Sequence, residues 1–143
     1  DKINEMLAGI DKVQTALHLC RRNWGRRGWG AEGGYEPIID TMKKIDVDQY
    51  VMEFSIPVTG DVAILRELPD DKLIGLGAVE CRFDKIDTRD EIVARVEEAM
   101  KHVDPERLSI SPDCGFSPGL DGVTCRWRSP IRSSRTRRPR RGG

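Results

Sequence analysis

Four strand-like runs alternate with helical segments along this chain, and that alternation constrains the fold more than any other feature of the sequence. The runs cover residues 14–20, 49–55, 73–81 and 107–111. They recur at intervals of roughly thirty residues, which is typical of strand–helix units with a parallel sheet. The pattern therefore predicts an α/β fold, either half of an eight-stranded barrel or a small open sheet.

The segments between these runs show helical periodicity. The clearest predicted helix spans residues 89–103 and opens with a capping box formed by Thr88 and Glu91. A helix that opens the chain, one after Pro37 and a brief third one are predicted from their apolar positions. These positions are Ile3, Met6, Leu7 and Ile10; Ile38, Ile39, Met42 and Ile45; and Val62, Leu65 and Leu68.

Potential metal ligands stand in or directly after three of the strand-like runs. His18 and Cys20 share one face of the first run because side chains alternate along a strand. Glu53 lies in the second run, and Cys114 follows the fourth. A histidine or cysteine on a strand is more often ordinary core when it stands alone. The ordered set of imidazole, two thiols and a carboxylate instead favours a tetrahedral zinc site.

The motifs ALHLC, YVMEFS and SPDCGF together resemble the C-terminal catalytic barrel of the cobalamin-independent methionine synthases. The segment HLCRRNWGRRGWGAEGGYEP is similar to a shorter, single-barrel branch of that superfamily, which also includes zinc thiol-alkyltransferases such as the epoxyalkane:coenzyme M transferases. The resemblance covers residues 1–122 and implies a partial (βα)8 TIM-barrel catalytic domain. It selects the half barrel, with about four C-terminal βα units.

The resemblance also implies a chemistry. A Zn2+ ion would hold a substrate thiol such as homocysteine as its thiolate, which attacks a methyl or alkyl donor. The implied activity is that of a zinc-dependent methyltransferase, with an epoxyalkane:coenzyme M-type transfer as the alternative. Glu53 would be the catalytic ligand that yields to substrate sulfur, because oxygen binds zinc less tenaciously than thiolate does. The implied zinc ligands are His18, Cys20, Glu53 and Cys114.

Arg82 marks a departure from the synthase pattern. The synthases have a histidine, thought to handle the proton, at the place in GLGAVECRFD that Arg82 occupies. This substitution argues against folate-dependent transfer. A solvated loop charge is one of two interpretations for Arg82.

The loop after the first strand combines cations with aromatic rings. Such a loop suits the binding of a carboxylate, sulfonate or phosphate, although an ordinary exposed loop would have the same composition. The candidate substrate-binding residues are Arg21, Arg22, Trp24, Arg26 and Arg27.

The end of the chain, residues 123–143, differs sharply in composition from the rest. Eight of the 24 basic residues fall in residues 126–143, which contain no acid. The remainder is therefore acidic, so a nucleic-acid partner is not expected, although an arginine-rich arm on a non-catalytic zinc-binding fragment is the alternative function. Out-of-frame sequence is a second explanation for the tail. In either case we expect it to be disordered.

Further expectations concern the environment and assembly of the chain. No apolar run approaches the length of a membrane span, and nothing at the N-terminus has the pattern of a signal peptide. Four irregularly spaced cysteines favour a reducing cytoplasm, with Cys81 and Cys125 as free thiols. A half barrel has unpaired strand edges, so we expect self-association.

Overall fold

The fold is built on one four-stranded parallel sheet. The structure, a computed structural model, describes residues 2–23 and 28–115. The strands are β1 (Ala16–Leu19), β2 (Gln49–Glu53), β3 (Leu73–Val79) and β4 (Leu108–Pro112). Their spatial order follows the order in the chain, and every neighbouring pair is parallel. A doubly wound open sheet reverses its strand order at a switch point, whereas successive barrel units do not, so this topology confirms the predicted half barrel.

The two faces of the sheet have different environments. The helix-facing side chains form the core of the protein, in which Tyr50, Met52, Ile74 and Leu76 are all fully buried. The opposite face would line the interior of a closed barrel. There His18 pairs with Val51 in register, and the His18 side chain is exposed.

Within the described residues, one α-helix precedes the first strand, and two α-helices and four 3-10 segments lie between the strands. The helices are α1 (Lys2–Leu7), α2 (Ile39–Met42) and α3 (Arg89–Ala99). The 3-10 segments are Glu36–Ile38, Pro57–Thr59, Val62–Glu67 and Pro105–Arg107. No helix within residues 2–23 and 28–115 is long and apolar enough to cross a membrane.

The predicted capping box at the start of α3 is confirmed. The Thr88 hydroxyl accepts the Glu91 N–H at 3.2 Å, and the Glu91 carboxylate accepts the Thr88 N–H at 2.8 Å. The helix ends at Ala99, four residues before the predicted end. Val103 is nevertheless buried, because a turn carries it back onto the core.

Two predicted helices are shorter or tighter than their apolar stripes suggest. Helix α2 ends at Met42, and the Tyr50 hydroxyl lies within hydrogen-bond distance of the carbonyls of Met42 and Ile45. The Ile45 N–H donates to the Met42 carbonyl at 2.9 Å in a turn, and the Tyr50 hydroxyl adds a side-chain partner to both carbonyls at this end of the helix. The brief helix at 62–68 is a 3-10 segment capped by Asp61, whose carboxylate accepts the Ala63 N–H.

The basic tail lies outside the described residues, as do Trp24, Arg26, Arg27 and Cys125. The boundary expected at residue 122 and the expected disorder of 123–143 therefore stay predictions.

Candidate metal centre

The four predicted zinc ligands meet at the carboxyl-terminal edge of the sheet. His18 lies in β1, Cys20 directly follows it, Glu53 ends β2, and Cys114 comes two residues after β4. Their donor atoms all lie within 4.8 Å of one another. Parallel strands bring residues that are far apart in sequence to this one edge. The structure thus brings together the whole set named from the sequence.

The two thiols of the cluster are in direct contact. The Cys20 Sγ atom lies 3.4 Å from that of Cys114 and accepts the main-chain N–H of Arg22 at 3.0 Å. Arg22 itself has a φ of 64°, in the left-handed region. Although Cys20 as a residue is exposed, desolvation of its sulfur, followed by the contact with Cys114, raises its pKa to about 12.

Glu53 is the buried member of the cluster, with no exposed surface. One carboxylate oxygen accepts the main-chain N–H of Arg21 at 2.8 Å, and the other accepts a hydrogen bond from Arg82. The Tyr35 hydroxyl holds the backbone of Glu53, accepting its N–H at 2.8 Å and donating to its carbonyl at 3.2 Å. The orientation of the carboxylate is therefore fixed by contacts to the backbone of Glu53 and by contacts to both of its carboxylate oxygens.

Of the two interpretations of Arg82, that of a solvated loop charge is wrong. Its side chain has no exposed surface, and it forms ion pairs with Glu53, with Asp113 at 3.0 Å and with Glu80 at 3.5 Å. Its Nε atom donates to the Arg22 carbonyl at 3.1 Å. Burial works to lower the pKa of Arg82, but the three carboxylates outweigh it and raise that pKa above its ordinary value.

Asp113 fastens the end of β4 to the end of β2. Its carboxylate accepts the main-chain N–H groups of Phe54 and Ser55, each at 3.2 Å, together with the Ser55 hydroxyl. Burial raises the pKa of Asp113 to about 6. Gly77 leaves the space for this carboxylate, because a Cβ atom there would lie 2.5 Å from one of its oxygens.

Two arginines of the predicted anion-binding loop, Arg21 and Arg22, lie within the described residues. Arg21 is buried, with its guanidinium 4.3 Å from the centre of the Tyr35 ring and donating to the Gly33 carbonyl at 2.9 Å. These internal contacts are its partners in the structure, and its role in substrate binding stays a prediction. Arg22 is exposed, and its anion-binding role stays a prediction.

Sequence reasoning assigned no site role to Tyr35 or Asp113. Asp113 was visible as the acid of the PDCG motif, and its position next to Cys114 was the available signal. Tyr35 carried no such signal, because it precedes the 3-10 segment like any residue at the start of a helix. Its hydroxyl contacts Glu53, 18 residues away, only because the chain folds back to bring the two together.

Comparison with known proteins shows the family to which the chain is related. The sequence profile described as the cobalamin-independent synthase catalytic domain matches residues 2–120. Methionine synthase of Pyrococcus abyssi is 33% identical over 116 residues, which are 81% of this chain and 30% of that protein. The uncharacterized protein YxjG of Bacillus subtilis is 31% identical over 123 residues, or 84% of this chain and 32% of YxjG. The chain thus spans about a third of the length of these relatives.

A solved structure supports the fold assignment. The B12-independent methionine synthase from Shewanella sp. W3-18-1, determined in complex with selenomethionine, superimposes with a TM-score of 0.67 at 22% identity. The match covers 83% of this chain and 36% of that protein. Together with the profile match, the parallel half barrel and the donor cluster at its edge, this likeness leads to one assignment: the chain belongs to the cobalamin-independent synthase catalytic-domain family.

Proposed function

We propose that this chain carries the metal-binding half of a zinc-dependent methyltransferase that methylates a small-molecule thiol such as homocysteine. The observation that carries the proposal is the convergence of the donor atoms of His18, Cys20, Glu53 and Cys114 within 4.8 Å. A relative from Bacillus licheniformis, 28% identical over 106 residues, bears the name 5-methyltetrahydropteroyltriglutamate–homocysteine methyltransferase. This name supports a thiol as the methyl acceptor.

The donor chemistry fits zinc. Two thiols, an imidazole and one carboxylate are the nitrogen, sulfur and oxygen ligands that zinc takes in four-coordinate sites. When bound, zinc would lower the pKa of a coordinated substrate thiol, so that the thiolate is available near neutral pH. The raised pKa of Cys20 opposes ionisation of the metal-free site, so metal uptake there is coupled to proton release.

The four donors would have different tasks. His18, Cys20 and Cys114 would be permanent ligands, because thiolate and imidazole are the donors that zinc retains best. Glu53 would be the catalytic ligand that gives way to substrate. Its backbone, held by Tyr35, and its carboxylate, held by Arg21 and Arg82, keep it aimed at the cluster.

Arg82 does not act as a proton donor or acceptor in this site. Its pKa is raised above a value that is already high, so the guanidinium keeps its proton near neutral pH. The role that the resemblance assigns to a histidine at this position is therefore not performed by Arg82 itself. The lack of that histidine argues against a folate donor, so an alkyl compound is the alternative to a methyl donor.

Zinc analysis of cysteine variants tests the proposal. The full chain, purified and dialysed against zinc-free buffer, should retain one zinc per molecule. Cys20→Ser and Cys114→Ser should each lose it, because thiolates contribute most of the binding free energy. Glu53→Gln should retain zinc with a smaller loss of affinity.

Cys81→Ser is the matched control for these variants. Cys81 is a buried thiol near the site, with its carbonyl accepting a hydrogen bond from Asn23, but it is not a member of the donor cluster. Zinc content should therefore be unchanged in this variant. Equal zinc content in Cys81→Ser, Cys20→Ser and Cys114→Ser would overturn the proposed site.

A further inference from the structure

The guanidinium of Arg82 is buried, and the residue has no exposed surface. Within the described residues its side chain joins three carboxylates and one main-chain carbonyl, those of Glu53, Glu80, Asp113 and Arg22. A residue with no exposed surface and this set of partners is not placed to receive a substrate anion. Its function must therefore lie in what it does to these neighbours.

The neighbour that matters for the metal centre is Glu53. One oxygen of this carboxylate is bound to Arg82 and the other to the main-chain N–H of Arg21. A carboxylate oxygen of Glu53 also lies within 4.8 Å of the donor atoms of the three other ligands. Glu53 thus has two sets of neighbours, the donor atoms of the three other candidate ligands and the Arg82 guanidinium.

This position has an energetic consequence for ligand exchange. A carboxylate displaced from a metal inside a protein becomes a buried anion, and an uncompensated buried charge is strongly destabilising. Arg82 already provides the compensating charge, and Asp113 keeps the guanidinium in place through its own ion pair at 3.0 Å. In the structure the Glu53 carboxylate is therefore already paired with a compensating charge.

We propose that Arg82 is a positioning residue that accepts the Glu53 carboxylate when a substrate thiol takes its place at the metal. Arg82 then sets how readily thiol and carboxylate exchange, while the other three ligands set how tightly the metal is held. This inference rests on the proposed function, because it requires a metal bound by the cluster.

A titration of the cobalt-substituted protein with homocysteine tests the inference. Cobalt(II) reports each added thiolate as increased charge-transfer absorption, independently of any turnover. In Arg82→Gln the homocysteine concentration for half-conversion should rise about tenfold or more, because displaced Glu53 loses its counter-charge. Arg82→Lys keeps the charge but lacks the planar fork, so it should fall between Arg82→Gln and the parent chain.

Arg107→Gln is the matched control. Arg107, like Arg82, has an acidic partner, Asp70 at 3.1 Å, and it is partly buried. It precedes β4 and so lies at the amino-terminal ends of the strands, away from the donor cluster. This variant should titrate like the parent chain. In a Glu53→Gln background, replacement of Arg82 should no longer change the titration, because there is no carboxylate charge to accept.

Several outcomes would overturn the inference. Arg82→Lys and Arg82→Gln that bind cobalt and titrate with homocysteine like the parent chain would show that Arg82 does not control exchange. Folded Arg82→Lys that fails to retain cobalt would assign Arg82 to metal retention instead. If Arg82→Gln does not fold, Arg82→Lys alone decides. A parent chain that binds no cobalt or zinc would refute the proposed function itself, which is a separate result.

Discussion

At the scale of single residues, the site depends on polar groups that are buried and partnered. The Tyr35 hydroxyl accepts the N–H of Glu53 at 2.8 Å and donates to its carbonyl at 3.2 Å. Arg21 in turn donates to the same hydroxyl at 2.8 Å. Leaving a buried donor without its acceptor destabilises a protein by about 1–3 kcal/mol. These contacts therefore stabilise the fold and fix the orientation of the Glu53 carboxylate.

Removal of the Tyr35 hydroxyl should therefore affect stability and metal binding together. We expect Tyr35→Phe to lower the free energy of unfolding by about 1–3 kcal/mol, since the Glu53 N–H and the Arg21 guanidinium lose a partner. Zinc affinity should fall as well, because Glu53 is less well oriented. Urea unfolding and a competitive zinc titration measure the two effects.

Tyr50→Phe is the control for this prediction. Tyr50 is equally buried, and its hydroxyl contacts the carbonyls of Met42 and Ile45 at a distance from the cluster. It should lose stability without losing zinc affinity. A Tyr35→Phe protein with the zinc affinity of the parent chain would mean that Tyr35 supports the fold alone.

At the scale of elements, local patterns in the sequence predicted what local physics determines. Alternation on β1 and β2 predicted the shared faces, and the Thr88–Glu91 pair predicted the start of α3. The patterns failed where a distant partner decides the outcome. From the sequence alone, Arg82 could be a loop charge. In the structure it pairs with carboxylates at the ends of β2 and β4, and no local sequence pattern predicts those contacts.

The capping box of α3 makes the stability of that helix depend on pH. The ion pair with Lys85, followed by the hydrogen bonds with Thr88, lowers the pKa of Glu91 from 4.5 to about 2. The unfolded chain therefore binds more protons between these pH values, so this contribution to stability is present above pH 4.5 and lost as the pH falls through 2. Glu91→Gln should flatten the stability–pH curve in this window.

Urea titrations between pH 5 and pH 2 measure this effect as a difference between parent and variant. Glu97→Gln is the control, because Glu97 is an exposed acid of the same helix. Parallel curves for the parent chain and Glu91→Gln would contradict the assignment of this acid sensitivity to the cap.

At the scale of the whole molecule, the main feature is a sheet that is covered by helices on one face only. Helices cover one face, while β1 and β4 have a neighbouring strand on only one side among the described residues. On β4, Ile110 is 59% exposed. The sequence predicted the number and direction of the strands. No local pattern predicts what covers the unpaired sides of the two outer strands.

We expect the 143-residue chain to self-associate in solution through these edges. Light scattering after size-exclusion chromatography should give a mass that rises with concentration. Ile110→Lys should reduce the association, because lysine on an edge strand disfavours pairing with another strand. Ile86→Lys, at a position that is 88% exposed in a loop, should not. A monomer at every concentration would refute this expectation.

The zinc centre proposed here has two thiolates, one imidazole and one exchangeable carboxylate as ligands. X-ray absorption of the zinc-loaded full chain tests this ligand set most directly. We predict two sulfur neighbours at about 2.3 Å and lighter donors at about 2.0–2.1 Å, as found for zinc bound by cysteine, histidine and glutamate. Saturating homocysteine should raise the sulfur count from two to three, with the loss of one oxygen. A first shell without sulfur, or one that stays at two sulfurs under saturating homocysteine, would contradict it.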